Sequence, residues 1–161
     1  MKVDDPVALD ILKRCMVARI ATLSRNGRPS VNPLYFIHLD GLIWLGTPDW
    51  TLSVRNIKAD PRVSLLFGIE QDLHDQRVLR INGRASVRSD RQTQQSYGIR
   101  VARKYILTAD GIRNWLSHPR QLWLRRYYTA QSAQKGHSCV IEVIPEQVEL
   151  IVLKDSENGK R

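Results

Sequence analysis

A-R-I-A-T-L-S-R-N-G-R-P-S-V-N-P-L-Y-F-I-H-L-D-G-L-I-W-L-G-T, running from Ala18 to Thr47, carries the pattern that decides the fold. Arg19 to Leu23 is apolar with a β-branched bias, and the Asn26-Gly27 pair behind it readily takes up positive φ. The chain therefore turns back into a second run, Ser30 to His38, rich in Val, Leu, Tyr, Phe and Ile. Asp40-Gly41 is a second hairpin signal, and Leu42 to Thr47, with Trp44 inside it, is a third run. The spacing predicts three antiparallel strands.

After Thr47 the period changes. Thr51 or Ser53 can cap a short helix containing Leu52, Val54, Arg55, Asn56 and Ile57, and Asp60-Pro61 stops it because proline restricts the preceding residue to extended backbone. Arg62 to Phe67 resumes as a buried strand. A three-strand meander, one short helix and a fourth strand resemble the pyridoxamine 5'-phosphate oxidase-like family, the flavin-binding split β-barrel proteins. The resemblance is carried by the Ala18 to Leu23 strand, by N-G-R-P at Asn26 to Pro29, and by V-R-N-I-K-A-D-P-R-V-S-L-L-F at Val54 to Phe67. It continues more weakly through V-L-R-I-N-G-R-A-S-V at Val78 to Val87, so that about half the chain is covered well. It implies a mainly β fold with flanking helices (α+β): an antiparallel, Greek-key-like split β-barrel of the FMN-binding type.

Length and composition agree. One domain is the natural reading for 161 residues, a size that buries roughly two thirds of the surface of the extended chain. We expect a single split-barrel domain over residues 1–155 and a flexible polar tail over 156–161. No internal repeat is visible, and no apolar run approaches the roughly 20 residues of a membrane span. Asp4 and Asp5 precede a short apolar helix pattern of Val7, Leu9, Ile11 and Leu12, in place of a basic segment with an apolar core and a cleavage site, which points to the cytoplasm. Cys15 and Cys139 lie far apart without metal-type spacing and read as buried small hydrophobes, not as a disulfide or a zinc site.

The second half is less regular. Ser89 to Ile106 and Asp110 to Tyr128 read as amphipathic helices, the latter broken at Pro119. Cys139 to Ile144 reads as a last strand ended by Pro145-Glu146, with Val148 to Leu153 as an edge strand. The net charge of +9 favours anionic ligands, nucleic acid or acidic surfaces. Arg113, Trp115, Arg120, Trp123, Arg125, Arg126, Tyr127 and Tyr128 superficially match a basic, aromatic nucleic-acid surface, but aromatics at helical spacing more often build a core. A vestigial pocket on a nucleic-acid or protein interaction domain is the least favoured reading.

In the family that the chain resembles, a flavin lies in a groove between two subunits. Its phosphate is held by the second strand, the end of the third and the helix that follows. By that resemblance Asn32, Pro33, Leu34 and Tyr35 run beside the ring, while Thr47, Thr51, Ser53, Arg55 and Asn56 approach the phosphate. Trp50 either stacks on the ring or covers the core. A helix N-terminus with hydroxyls and a guanidinium suits a phosphate on physical grounds alone, and a cap is the competing role for Thr51 and Ser53.

The chain departs from the family in one place. A basic residue or Arg-Lys pair, as in G-S-R-K, is usual in this loop, whereas Trp50 to Ser53 reads W-T-L-S. Each lost charge-assisted contact costs on the order of 1.5–3 kcal/mol, a factor of roughly ten to more than a hundred in affinity. Arg55, Arg19 or a basic residue of a second subunit are the available compensations; drift of the site to another ligand is the alternative.

No nucleophile triad, Walker loop or zinc spacing competes. The resemblance thus implies a homodimeric oxidoreductase using FMN, or the related deazaflavin coenzyme F420, on a small planar substrate. The alternative is a non-catalytic binder of heme or another flat anionic ligand, for which His38, His74, His118 and His137 are candidate ligands without diagnostic context. Oxidation of pyridoxamine phosphate itself is less favoured, since no C-terminal substrate-binding segment of that enzyme is recognisable.

Overall fold

The structure, a computed structural model, describes residues 1–69, 72, 74–105 and 137–152. The helix expected over Asp110 to Tyr128 and the polar tail lie outside the described residues.

Seven strands form one antiparallel sheet: β1 (Ala18–Leu23), β2 (Pro29–Leu34), β3 (Phe36–Leu39), β4 (Leu42–Pro48), β5 (Arg62–Gly68), β6 (Arg77–Arg88) and β7 (Ser138–Val152). Three helices flank it, α1 (Pro6–Arg14), α2 (Leu52–Ala59) and α3 (Arg91–Tyr105). The strand order is β2-β1-β5-β6-β7-β4-β3, and the sheet curls into a split barrel. Both expected hairpins form. Gly27 (φ 72°) closes the first, and Asp40 (φ 50°) with Gly41 (φ 78°) makes the second a two-residue turn whose positive φ values match the twist of β3 and β4.

The run from Ser30 to His38 is not one strand. It breaks at Tyr35, so β2 pairs with β1 and β3 pairs with β4, at opposite ends of the strand order. Pro33 lies on the outermost strand, where its missing N–H costs no ladder bond. The expected pair of strands near the C-terminus is instead one strand, β7. It absorbs Pro145-Glu146 as an irregularity opposite Asn82 and Gly83. A proline at a bulge does not interrupt the ladder.

Alternation along the strands points Ile20, Ile43, Leu45, Leu65, Leu79, Ile81 and Ile141 into the barrel, where Phe36 and Phe67 meet edge to face at 4.8 Å. α1 is capped by Asp5, which accepts from Val7 N at 3.0 Å, and it buries Ala8, Ile11 and Leu12. Val7 and Leu9, read from the sequence as part of the apolar face, are exposed. α3 starts at Asp90, whose carboxylate accepts from the backbone and hydroxyl of Thr93. At its other end Lys104 reaches the Leu12 carbonyl at 3.0 Å and lies 3.5 Å above the Phe36 ring. Burial lowers the Lys104 amine to about 8.

An ion-pair network ties α1 to the β5–β6 connection. Arg14 donates to Asp72 and Asp75, both at 2.8 Å, and Arg77 donates to Asp10 at 2.9 Å and Asp75 at 2.6 Å. Hydrogen bonding from Arg77 holds the Asp75 carboxyl well below the usual carboxylate range. A depressed folded-state value means stability present above the unfolded value of 3.8 and lost as pH falls further. Asp75→Asn is therefore expected to lower the melting temperature at pH 7 by on the order of 2–4 °C. Its melting temperature should also fall less steeply than that of the wild type below pH 3.8, as read by thermal melts across pH.

Candidate functional site

The site assembles where β2, the end of β4 and the first turn of α2 converge. The register sets Ser30 and Asn32 opposite the buried Thr22 and Ile20, so both side chains face the inner side of the sheet. There Asn32 Nδ2 donates to Ser53 Oγ at 3.0 Å and to Ser30 Oγ at 3.2 Å. Ser53 is the second residue of α2 and is buried.

A second polar pair lies beside the first. Pro48 ends β4, Thr51 N–H donates to the Pro48 carbonyl at 3.2 Å, and the resulting turn carries Trp50 at its tip, 47% exposed. Asp49 N–H anchors the turn to the His137 carbonyl at 2.9 Å. Thr47 Oγ1 donates to Thr51 Oγ1 at 3.3 Å. Thr51 is the N-cap of α2 by position, yet its side chain makes no capping hydrogen bond. The first-turn N–H groups of a helix have no intrahelical partner, and among the described residues the Thr51 side chain does not cap them.

The residues singled out from the sequence thus divide. Asn32 and Ser53 come together, as do Thr47 and Thr51. Tyr35 and Trp50 are exposed beside them, and so is Arg55 on the solvent side of α2. Pro33 points to the outer face opposite Arg19, and Leu34 packs against the core. Asn56 is 4% exposed, and its Nδ2 donates to Thr22 Oγ1 at 3.0 Å in the interior, with Thr22 only 1% exposed. Of Leu52 and Ser53, which stand where the family's basic residues would be expected, Leu52 is 47% exposed and Ser53 is buried.

Ser30 is not among the residues singled out from the sequence, although its position two residues before Asn32 puts it on the same strand face. Neither are Gly46 and Tyr97. The Tyr35 carbonyl accepts from Tyr97 Oη at 2.9 Å and from Gly46 N–H at 3.4 Å, a contact between α3 and the strand seam that no local pattern announces. Burial pushes the Tyr97 phenol up to about 12, so it remains a donor through the neutral range. Cys139 lies opposite Thr47 and gives its thiol to the Thr47 carbonyl at 3.3 Å; burial raises the thiol. Among the described residues, no group of three His, Cys, Asp or Glu side chains is placed to hold a metal ion.

The chemistry available here is recognition by neutral donors: hydroxyls, an amide and helix N–H groups around an anion, with aromatic surface alongside. The sheet order, with one short helix between β4 and β5, places the protein among the antiparallel split barrels. Residues 5–152 match the family described as pyridoxamine 5'-phosphate oxidase, and the chain belongs to that family. A search of curated proteins gives no match. Among solved structures, the chain is similar to a conserved hypothetical protein of Mycobacterium tuberculosis, at 18% identity and a TM-score of 0.67 over 98% of this chain and 92% of that one. It is similar to an F420 reductase at 18% identity and a TM-score of 0.60, covering 87% and 94% of the two chains. It is also similar to HutZ, the heme storage protein of Vibrio cholerae, at 17% identity and a TM-score of 0.63, covering 94% and 95%. At such identities the likeness is one of fold.

Asn56→Ala leaves the buried Thr22 hydroxyl without its Asn56 partner and is expected to cost about 1–3 kcal/mol of unfolding free energy in urea titrations.

Proposed function

We propose that this protein is a flavin-dependent oxidoreductase, binding FMN or coenzyme F420 at a homodimer interface and exchanging hydride with a small planar substrate. The observation that carries this reading is the uncapped N-terminus of α2, set beside the hydroxyls of Thr47, Thr51 and Ser53 and the Asn32 amide. These groups fit a phosphate: the helix dipole and free N–H groups favour an anion, and hydroxyls complete its oxygen contacts.

In this reading Thr47, Thr51 and Ser53 hold the phosphate. Asn32 fixes Ser53 through its 3.0 Å bond, and the Asn32 to Tyr35 segment lies along the ring. Trp50 and Tyr35 supply apolar faces that exclude water from it. Arg55 is the nearest cation on α2, one turn from the phosphate end. The flavin itself supplies the hydride chemistry. For the second subunit we assign the outer face of β2, β1 and β5, where Val31, Pro33 and Leu66 are exposed apolar surface beside the free edge of β2.

Leu52 favours a second reading. An exposed leucine where a phosphate-binding cation would stand removes a contact that a flavin phosphate would use, which suits drift of the site to another flat anionic ligand such as heme.

Titration of the purified protein with FMN, F420 and heme, followed through tryptophan fluorescence, tests both. Tight binding of one flavin supports the oxidoreductase; a Soret band with no flavin binding supports the second reading and overturns the first. If the phosphate sits at α2, Leu52→Arg adds a charge-assisted contact and is expected to tighten FMN binding by roughly tenfold or more. Unchanged affinity in that variant places the phosphate elsewhere.

A further inference from the structure

The turn from β2 into β3 is held from outside the sheet by α3. The Tyr97 side chain crosses the outer face of β4 at Gly46, where a Cβ would lie 2.7 Å from its hydroxyl oxygen and closer still to the ring. Only glycine leaves this passage open. Through it the Tyr97 hydroxyl donates to the Tyr35 carbonyl at 2.9 Å, and Gly46 N–H shares the same acceptor at 3.4 Å. The Tyr35 ring is 56% exposed and rests edge-on against Tyr105 at 4.9 Å. The Tyr105 hydroxyl is committed to three backbone groups, Phe36 N–H and the carbonyls of Phe36 and Met16, at 3.2, 3.0 and 2.9 Å. Tyr105 thus anchors the start of β3, whereas the Tyr97 hydroxyl donates to the last residue of the segment that the flavin reading sets along the ring.

From this geometry we infer that Tyr97 is a positioning residue for the proposed flavin site: by fixing the Tyr35 carbonyl through the gap at Gly46, it sets the angle at which Asn32 to Tyr35 lies along the ring. This inference rests on the flavin reading above. α3 is thereby part of the site although it contributes no group to the ligand. The bond is local, its donor stays protonated because burial pushes the phenol up to about 12, and its removal leaves the ring that fills the space over Gly46.

Tyr97→Phe removes the hydroxyl alone, Gly46→Ala displaces the ring, and Ile99→Ala, on the 71% exposed position of the same helix, is the control. Each protein is titrated with FMN, and with F420 where FMN does not bind. The visible circular dichroism of the bound flavin is recorded, together with backbone deuterium exchange over residues 32–47. Tyr97→Phe is expected to fold, to weaken flavin binding by about 3- to 10-fold, to alter the flavin dichroism and to speed exchange at Phe36 and Gly46. Ile99→Ala should do none of these. Gly46→Ala should repeat the Tyr97→Phe pattern, with an effect that does not add to it in the double variant; should it fail to fold, Tyr97→Phe decides alone. Wild-type affinity and unchanged flavin dichroism in Tyr97→Phe overturn the inference while the flavin reading stands. A wild-type protein that binds neither flavin overturns the reading itself, and the positioning role with it.

Discussion

A single run of chain has to serve both ends of the sheet. β2 and β3 follow one another with only Tyr35 between them, yet they occupy the first and last places in the strand order. The sheet can do this only by curling until its ends approach, and the bend at Tyr35 is where that closure is made. Its carbonyl, which leaves the ladder at the bend, is satisfied by Gly46 N–H and by Tyr97. Both donors come from elements outside β2 and β3. The helix that supplies the second donor is therefore coupled to barrel closure.

The same constraint gathers the candidate site. Because β2 curls toward β4, Asn32 comes within hydrogen-bonding distance of Ser53 on the helix that follows β4. The Thr47–Thr51 pair extends the polar surface along the end of β4. α2 is then held from beneath by Asn56 and Thr22 and by the buried Val54 and Ile57, so its N-terminus keeps a fixed place against the strands. Neutral donors dominate this cluster, in a chain whose net charge is +9.

Much of the fold was legible because the signals are local. Asn26-Gly27 and Asp40-Gly41 mark turns that need positive φ, Asp60-Pro61 stops α2, and period-two apolar runs mark β1, β4 and β5. The errors came where the decisive contact is remote. Nothing between Ser30 and His38 marks Tyr35 as a break, since its partners lie 11 and 62 residues further on. Pro145-Glu146 looked like a strand end because a lone strand cannot show the bulge at Asn82 and Gly83 that accommodates it. Asn56 shares α2 with the phosphate candidates, and packing turns its amide inward to Thr22.

Turn chemistry, proline stops and strand period act over a few residues, so the family, the hairpins, the helix between β4 and β5 and the set of hydroxyl and amide residues near its start can all be read along the chain. Tertiary structure decided which of those side chains meet. Asn32 reaches Ser53, Tyr97 passes over Gly46 and Lys104 settles on the Phe36 ring through contacts between residues far apart in the chain. Such contacts depend on how strongly the sheet curls and where α3 lies on it, and both are set by the packing of the whole barrel.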